Sequence, residues 1–411
     1  MLAHLEPPTH TRPGLRQIVS DFGLGYFANG LIAFIFSATG PLAVILSVGT
    51  RGGLSAAELA SWVFGVFFIN GLVTMAMSWR YKTPLGFAWT IPGTVLVGPA
   101  LEHLSFAEVI GAFYATSALI LLLGFSGWVK RLMSSLPMPI VMGMVAGVFL
   151  RFGLDLVRSL HADVWITAPM VVVFLLLSAA PALGKRMPPI LGAMLVGALA
   201  IALLGRIDTS TLGHFSWAQP LVQAPVWSVG ALVELVLPLA ITVLVVQNGQ
   251  GVVVLKGAGH APPVNSIAVA CGVGAALSAA VGAVSTCLTG PSNALLTSSG
   301  ERERHYTGAL AFGAFGVLFG LMAPTFTDLM LAAPKAYIMA LGGLAMLRVL
   351  QGAFVGSFNG KFSLGALVSL LVTVTDMGLF NIGAAFWGLV AGFAVSWLLE
   401  RRDFVALANG T

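Results

Sequence analysis

A constant shift of 197 residues lays one half of this sequence on the other. Pro41-Leu42-Ala43 falls on Pro238-Leu239-Ala240, Gly93 on Gly290, Gly111-Ala112 on Gly308-Ala309, Pro137 on Pro334, Val141-Met142 on Ile338-Met339, and Leu150-Arg151 on Leu347-Arg348. Chance supplies one or two such matches. A single ungapped register from Pro41 to Arg151 marks an internal repeat. Of the 411 residues, 58% are apolar and 9% charged, and the mean hydropathy is +0.96, which excludes a water-soluble globular domain. The repeated unit is therefore a set of membrane segments.

Taking apolar runs of roughly 17 to 25 residues as spans, the first half reads as segments at 22–48, 59–78, 87–101, 106–128, 136–157, 164–183 and 188–205. The second half reads as 227–253, 264–283, 285–299, 306–323, 326–351, 362–380 and 382–399. That is an all-α polytopic membrane protein of fourteen segments, seven in each half. Because seven is odd, the second half enters the membrane upside down, an inverted-topology repeat. With the N-terminus inside, only Arg51, Arg151, Arg158, Arg206 and Lys335 of the 20 Lys and Arg residues fall on the outer side. This positive-inside bias supports the segment count, since one missed span would scramble every later assignment. Residues 1–20 and 401–411 are then cytoplasmic tails, and 206–226 is the longest outer loop. The tail lacks the apolar core of a cleaved signal peptide. Asp21 and Asp376, near span ends, read as interfacial.

The third and tenth segments are broken. Phe87-Ala-Trp-Thr-Ile-Pro-Gly-Thr94 and Ser285-Thr-Cys-Leu-Thr-Gly-Pro-Ser-Asn293 each place a few extended-favouring residues before a Pro/Gly break and a short half-helix. Interrupted backbone at membrane depth is tolerated only where protein or a wet cavity satisfies it. Paired breaks in corresponding halves point to a transporter binding site. Half-helix N-termini carry unpaired N–H groups and partial positive charge, which suits an anion. Trp89, Thr90, Gly93, Thr94, Thr289, Gly290, Ser292 and Asn293 form the candidate site; each Ser or Thr could equally cap its own helix. Gln247 and Asn248 are two adjacent amides inside an apolar span and join it as ligands or as interhelical hydrogen-bonding groups. Phe36 and Thr39 of the first span complete the set, as ligands or packing contacts.

Glu234 is a carboxylate inside the eighth span and a candidate for proton coupling; a structural role near the outer surface is the alternative. None of the seven histidines stands in a metal-ligand spacing, no phosphate-binding Gly-rich loop is present, and Cys271 and Cys287 are isolated. No metal, cofactor, enzymatic activity or nucleic-acid partner is expected.

The Ser61-Trp62 pair, Pro92-Gly93, the run Ala146-Gly-Val-Phe-Leu-Arg-Phe-Gly-Leu-Asp155, the Gln247-Asn248 pair and Asn293 together resemble the bacterial benzoate:proton symporters across essentially the whole chain. The family is similar in turn to the seven-plus-seven inverted-repeat nucleobase and sulfate-type anion transporters. That resemblance implies a core domain from 21–130 and 227–324 and a gate domain from 131–205 and 325–400, moving elevator-fashion in the bacterial inner membrane. It also implies import of benzoate or a related aromatic carboxylate with a proton; a homodimer is left open. Nucleobase members carry glutamate where Gln247 lies, and a neutral amide there suits an anionic substrate better. A transporter, exchanger or channel for another small anion or a nucleobase is the alternative.

Overall fold

A computed structural model describes residues 4–9, 11–135, 137–180, 187–208, 215–298, 300–375, 377, 379 and 383–408. Asp376 and loop residues 209–214 lie outside this set. Among the described residues the secondary structure is helical apart from two three-residue strands, β1 (Phe87–Trp89) and β2 (Thr286–Leu288). Among the described residues, six helices are long and apolar enough to cross a membrane: Leu24–Arg51, Ala56–Tyr81, Phe106–Ser126, Met138–Ala162, Val229–Gly257 and Lys335–Phe358. The sequence repeat reappears in the helix bounds. Met138–Ala162, shifted by 197, becomes 335–359, against an observed Lys335–Phe358. Phe106–Ser126 becomes 303–323 against His305–Leu321, and Val164–Ala179 becomes 361–376 against Ser363–Thr375.

Three expected spans differ. The span drawn at 326–351 begins only at Lys335; the residues before it form a separate helix, Ala323–Leu331, bent 69° from the preceding one. Pro324 in the first turn of that short helix and Pro334 at the cap of the next enforce both breaks. The first span is divided at Thr39, where φ −101° and ψ −97° leave the helical region ahead of Pro41. The eighth span contains two π-helical turns, Leu232–Val236 and Thr242–Gln247. The C-terminal residues expected as a tail form a helix, Arg401–Ala408.

Packing sorts the helices into two groups. Helices 24–51, 56–81, 106–126, 229–257, 264–280 and 305–321 enclose the two strands and half-helices, while 138–162, 164–179, 189–203, 335–358, 363–375 and 384–399 pack on one another. Small residues permit the close approach, as membrane helices require when lipid supplies no competing hydrophobic drive. A Cβ on Gly71 would sit 2.6 Å from the Gly313 carbonyl oxygen, and one on Gly143 would sit 2.3 Å from that of Ala366. Large apolar side chains such as Leu24, Trp165, Leu199 and Leu203 remain exposed, as a lipid-facing surface demands. The described part of loop 206–226 is strapped across one face: Ser61 Oγ accepts from Leu221 N–H (2.9 Å) and donates to Val281 O (2.8 Å), and Val226 N–H donates to Ala107 O (2.9 Å). Beside it, Trp62 is fully buried and stacks on Phe106.

Candidate functional site

β1 and β2 come from opposite halves of the chain and pair antiparallel, with Phe87 opposite Leu288, Ala88 opposite Cys287 and Trp89 opposite Thr286. Bonds from Thr90 N–H to Ser285 O (3.1 Å) and from Thr289 N–H to Gly86 O (3.2 Å) extend the ladder at each end. Each strand then turns into a half-helix with proline in its first turn, Ile91–Ala100 and Gly290–Leu296. Because the strands are antiparallel, the half-helices begin at opposite ends of the pair and run apart. All six strand residues are buried, and neighbouring side chains serve the backbone groups the pair leaves over. Thr74 Oγ1 accepts from Phe87 N–H (2.9 Å), Asn248 Oδ1 accepts from Leu288 N–H (2.7 Å), and Thr286 Oγ1 donates to Asn70 Oδ1 (2.6 Å).

The two half-helices start differently. Thr90 caps the first: its hydroxyl accepts from Gly93 N–H (3.1 Å) and donates to Thr242 Oγ1 (3.0 Å), while Thr94 Oγ1 donates back to Thr90 O (3.0 Å). Gly93 sits against Leu239. Thr289, the corresponding cap of the second, makes no side-chain bond to its helix. Asn293 is fully buried and its amide is spent on the frame: Oδ1 accepts from Gly86 N–H (3.0 Å), and Nδ2 donates to Gly86 O (3.0 Å) and Thr289 O (2.6 Å). Asn248 is committed likewise, to Leu288 and to Cys271 Sγ (3.5 Å). Ser292 Oγ lies 3.4 Å from the hydroxyl of Ser37, two residues before the break in the first span. Thr39 Oγ1 donates to Phe36 O (3.1 Å). Trp89 is buried edge-on to Phe67, at 5.0 Å between ring centres, in an aromatic row that continues through Phe319 to Phe326.

Capacity for a polar ligand is left on one side of β2, and Trp89 Nε1 and Ser285 Oγ at the crossing are buried without a hydrogen-bond partner among the described residues as well. Gln247 and Thr289 are nearly buried, and their side chains make no hydrogen bond among the described residues; the same holds for Gln250, which is exposed. Gln247, Gln250 and Gly251 share one helix face at i, i+3 and i+4. Gly251 backs onto Leu288, and Gly290 lies so close to Gln250 that a Cβ there would be 2.9 Å from the Gln250 Cβ. Pro291 and Ala294 expose the adjoining face of the second half-helix. Gln250 went unselected in the sequence although it follows Gln247 by one turn, and that spacing was the available signal.

Glu234 is remote from this cluster. It lines a cavity of about 270 Å³ between the two helix groups, together with Arg51, Glu102, Arg151, Arg158 and Gly383. Its Oε2 lies 2.9 Å from His103 Nε2. Across the cavity Arg51 pairs with Asp155, which Arg158 also reaches at 3.4 Å, and Arg151 stands 4.0 Å from Glu102. His103 stands in no metal-ligand spacing and its partner lies 131 positions away, so no local sequence signal marks it.

The profile of the family described as Benzoate membrane transport protein (BenE) matches residues 20–398. The chain is 30% identical over 367 residues to the inner membrane protein YdcO of Escherichia coli strain K12, covering 88% of this chain and 93% of that one. It is 28% identical over 394 residues to the benzoate membrane transport protein of Acinetobacter baylyi, covering 94% and 98%. Among solved structures, the transmembrane domain of the cyanobacterial bicarbonate transporter BicA superposes with a TM-score of 0.61 at 16% identity, covering 94% of this chain and 97% of that one. Murine Solute Carrier 26 family member A9, an anion transporter in its inward-facing state, gives 0.61 at 13% identity over 97% of this chain and 74% of its own. The fold is thus the seven-plus-seven inverted repeat of these transporters. With its profile matched over most of its length, this multi-pass membrane protein belongs to the benzoate membrane transport (BenE) family.

Proposed function

We propose that the protein imports benzoate or a related aromatic carboxylate together with a proton across the bacterial inner membrane, with both termini cytoplasmic and fourteen membrane segments. The helix group around the strand pair is the core domain and the other group is the gate, against which the core moves elevator-fashion. The observation that carries the site assignment is the unspent capacity of Gln247, Gln250 and Thr289 beside the strand crossing, where donors without any fixed carboxylate suit an anion. Thr90, Gly93, Thr94, Gly290 and Ser292 shape the surroundings, while Asn248 and Asn293 hold the frame that positions them. Phe36, Thr39 and Trp89 supply the apolar flank for an aromatic body. Protons couple through Glu234, away from the carboxylate site. The BicA and Solute Carrier 26 folds support a second reading, carriage of another small anion.

Counterflow in proteoliposomes decides between them. Vesicles preloaded with unlabelled benzoate are expected to take up labelled benzoate in preference to bicarbonate, sulfate or uracil. Thr289→Val and Gln247→Leu are expected to weaken that uptake through KM. Equal or better exchange of an inorganic anion would replace the aromatic acid as substrate, and unchanged kinetics in both variants would remove the site from the crossing.

A further inference from the structure

We propose that His103 and Glu234 act together as a carrier of one proton at the seam between core and gate, an inference that rests on the proton-coupled reading above and assigns it a chemical device. His103 follows the half-helix Ile91–Ala100, and its Nδ1 lies 3.1 Å from the Pro99 carbonyl oxygen. A carbonyl oxygen only accepts, so Nδ1 bears the hydrogen. In a neutral ring of that tautomer Nε2 offers only a lone pair, and an ionised carboxylate offers only lone pairs as well. Their separation of 2.9 Å therefore requires one proton between them, as Glu234 O–H donating to Nε2 or as imidazolium N–H donating to the carboxylate. Either arrangement is the proton-loaded form of the pair.

The placement couples that proton to the gate. Glu234 is 4% exposed and His103 29%, so the histidine is the pair's link to solvent. Gly383, which opens the gate helix Ala384–Leu399, rests on the carboxylate so closely that a Cβ there would lie 2.4 Å from Oε1. Of the charged groups that face the pair, Glu108 on helix 106–126 is bonded to Ser105, Arg51 and Arg158 share Asp155, and Arg151 approaches Glu102. Helix 384–399 contributes no ionisable side chain. When the gate withdraws, water reaches the carboxylate, the shared O–H or N–H bond breaks, and the proton passes to water. The imidazole and carboxylate lone pairs then repel, and the pair changes from net neutral to −1. Proton occupancy thus favours the packed seam, and proton release favours its opening.

The test uses the full chain in proteoliposomes, with Glu234→Gln and His103→Gln. Both variants are expected to keep benzoate counterflow within about threefold of wild type while losing the accumulation driven by an inward proton gradient. Equal loss of both processes would indicate a merely structural contact, and retained accumulation would remove the pair from coupling; either result overturns the proposal. A second measurement does not depend on the substrate. In an infrared-monitored pH titration of purified protein, each variant is expected to abolish the same single protonation band. Loss of different bands, or of none, overturns the pair even if benzoate proves not to be the substrate.

Discussion

Replacing Asn293 with alanine withdraws three hydrogen bonds from the place where the halves of the chain meet. Gly86 O keeps a partner in Thr289 N–H, and Thr289 O keeps one in Asn293 N–H. Gly86 N–H, bonded to Asn293 Oδ1 at 3.0 Å, is left without its acceptor in a buried position. Orphaning one buried amide costs about 1–3 kcal/mol, and the two weakened carbonyl contacts bring the total to about 2–4 kcal/mol. At 1.4 kcal/mol per factor of ten, the population in which the strand pair opens rises roughly 30- to 700-fold. Cys287, fully buried in β2 opposite Ala88, reports that opening. With Cys271 replaced by alanine throughout, alkylation of Cys287 in detergent follows the open population when reclosing outpaces modification. A rate within about threefold of the Asn293 parent, in protein that remains folded, would refute the assignment of Asn293 as the clamp.

Two further outcomes follow from contacts outside the spans. Burial first, then the neighbouring His305 and Arg302, pushes His260 down from its usual 6.5 to about 4. The folded protein holds it neutral where the unfolded chain would protonate it, so its contribution is full above pH 6.5 and is lost as pH falls toward 4. Thermal unfolding measured across that window should steepen on acidification in wild type and flatten in His260→Gln. The Glu6 carboxylate accepts from the N–H groups of Asn265 (3.1 Å) and Ser266 (3.1 Å) and so caps helix Val264–Ala280, whose own first residues offer no side-chain cap. Glu6→Ala should cost about 0.5–2 kcal/mol and release the N-terminal segment to limited proteolysis without altering counterflow; unchanged cleavage would show that the carboxylate does not anchor it.

The repeat was legible because it is written in prolines, glycines and apolar runs, which act locally and survive inversion. The same signals located both breaks, Pro92-Gly93 and Gly290-Pro291. The break before Lys335 was missed since Ala323–Leu331 is apolar enough to pass for part of a span, and hydropathy does not register a break at Pro334; the 69° turn ahead of Ala323 falls at the expected segment boundary between 323 and 326. The division of the first span at Thr39 was hidden in the same way. The roles of the polar residues were least accessible. Asn293 and Gln247 look equivalent in sequence, yet Asn293 has its amide consumed by Gly86 while Gln247 does not bond to the frame. That difference depends on partners 207 positions away, which periodicity cannot specify. His103 and Glu234, 131 apart, are a further case.

Accumulation of labelled benzoate by proteoliposomes under an imposed inward proton gradient tests proton-coupled import most directly. Concentration above the external level that collapses when an uncoupler is added is the predicted result. Equilibration without accumulation, unaffected by the uncoupler, would contradict proton-coupled import by this chain.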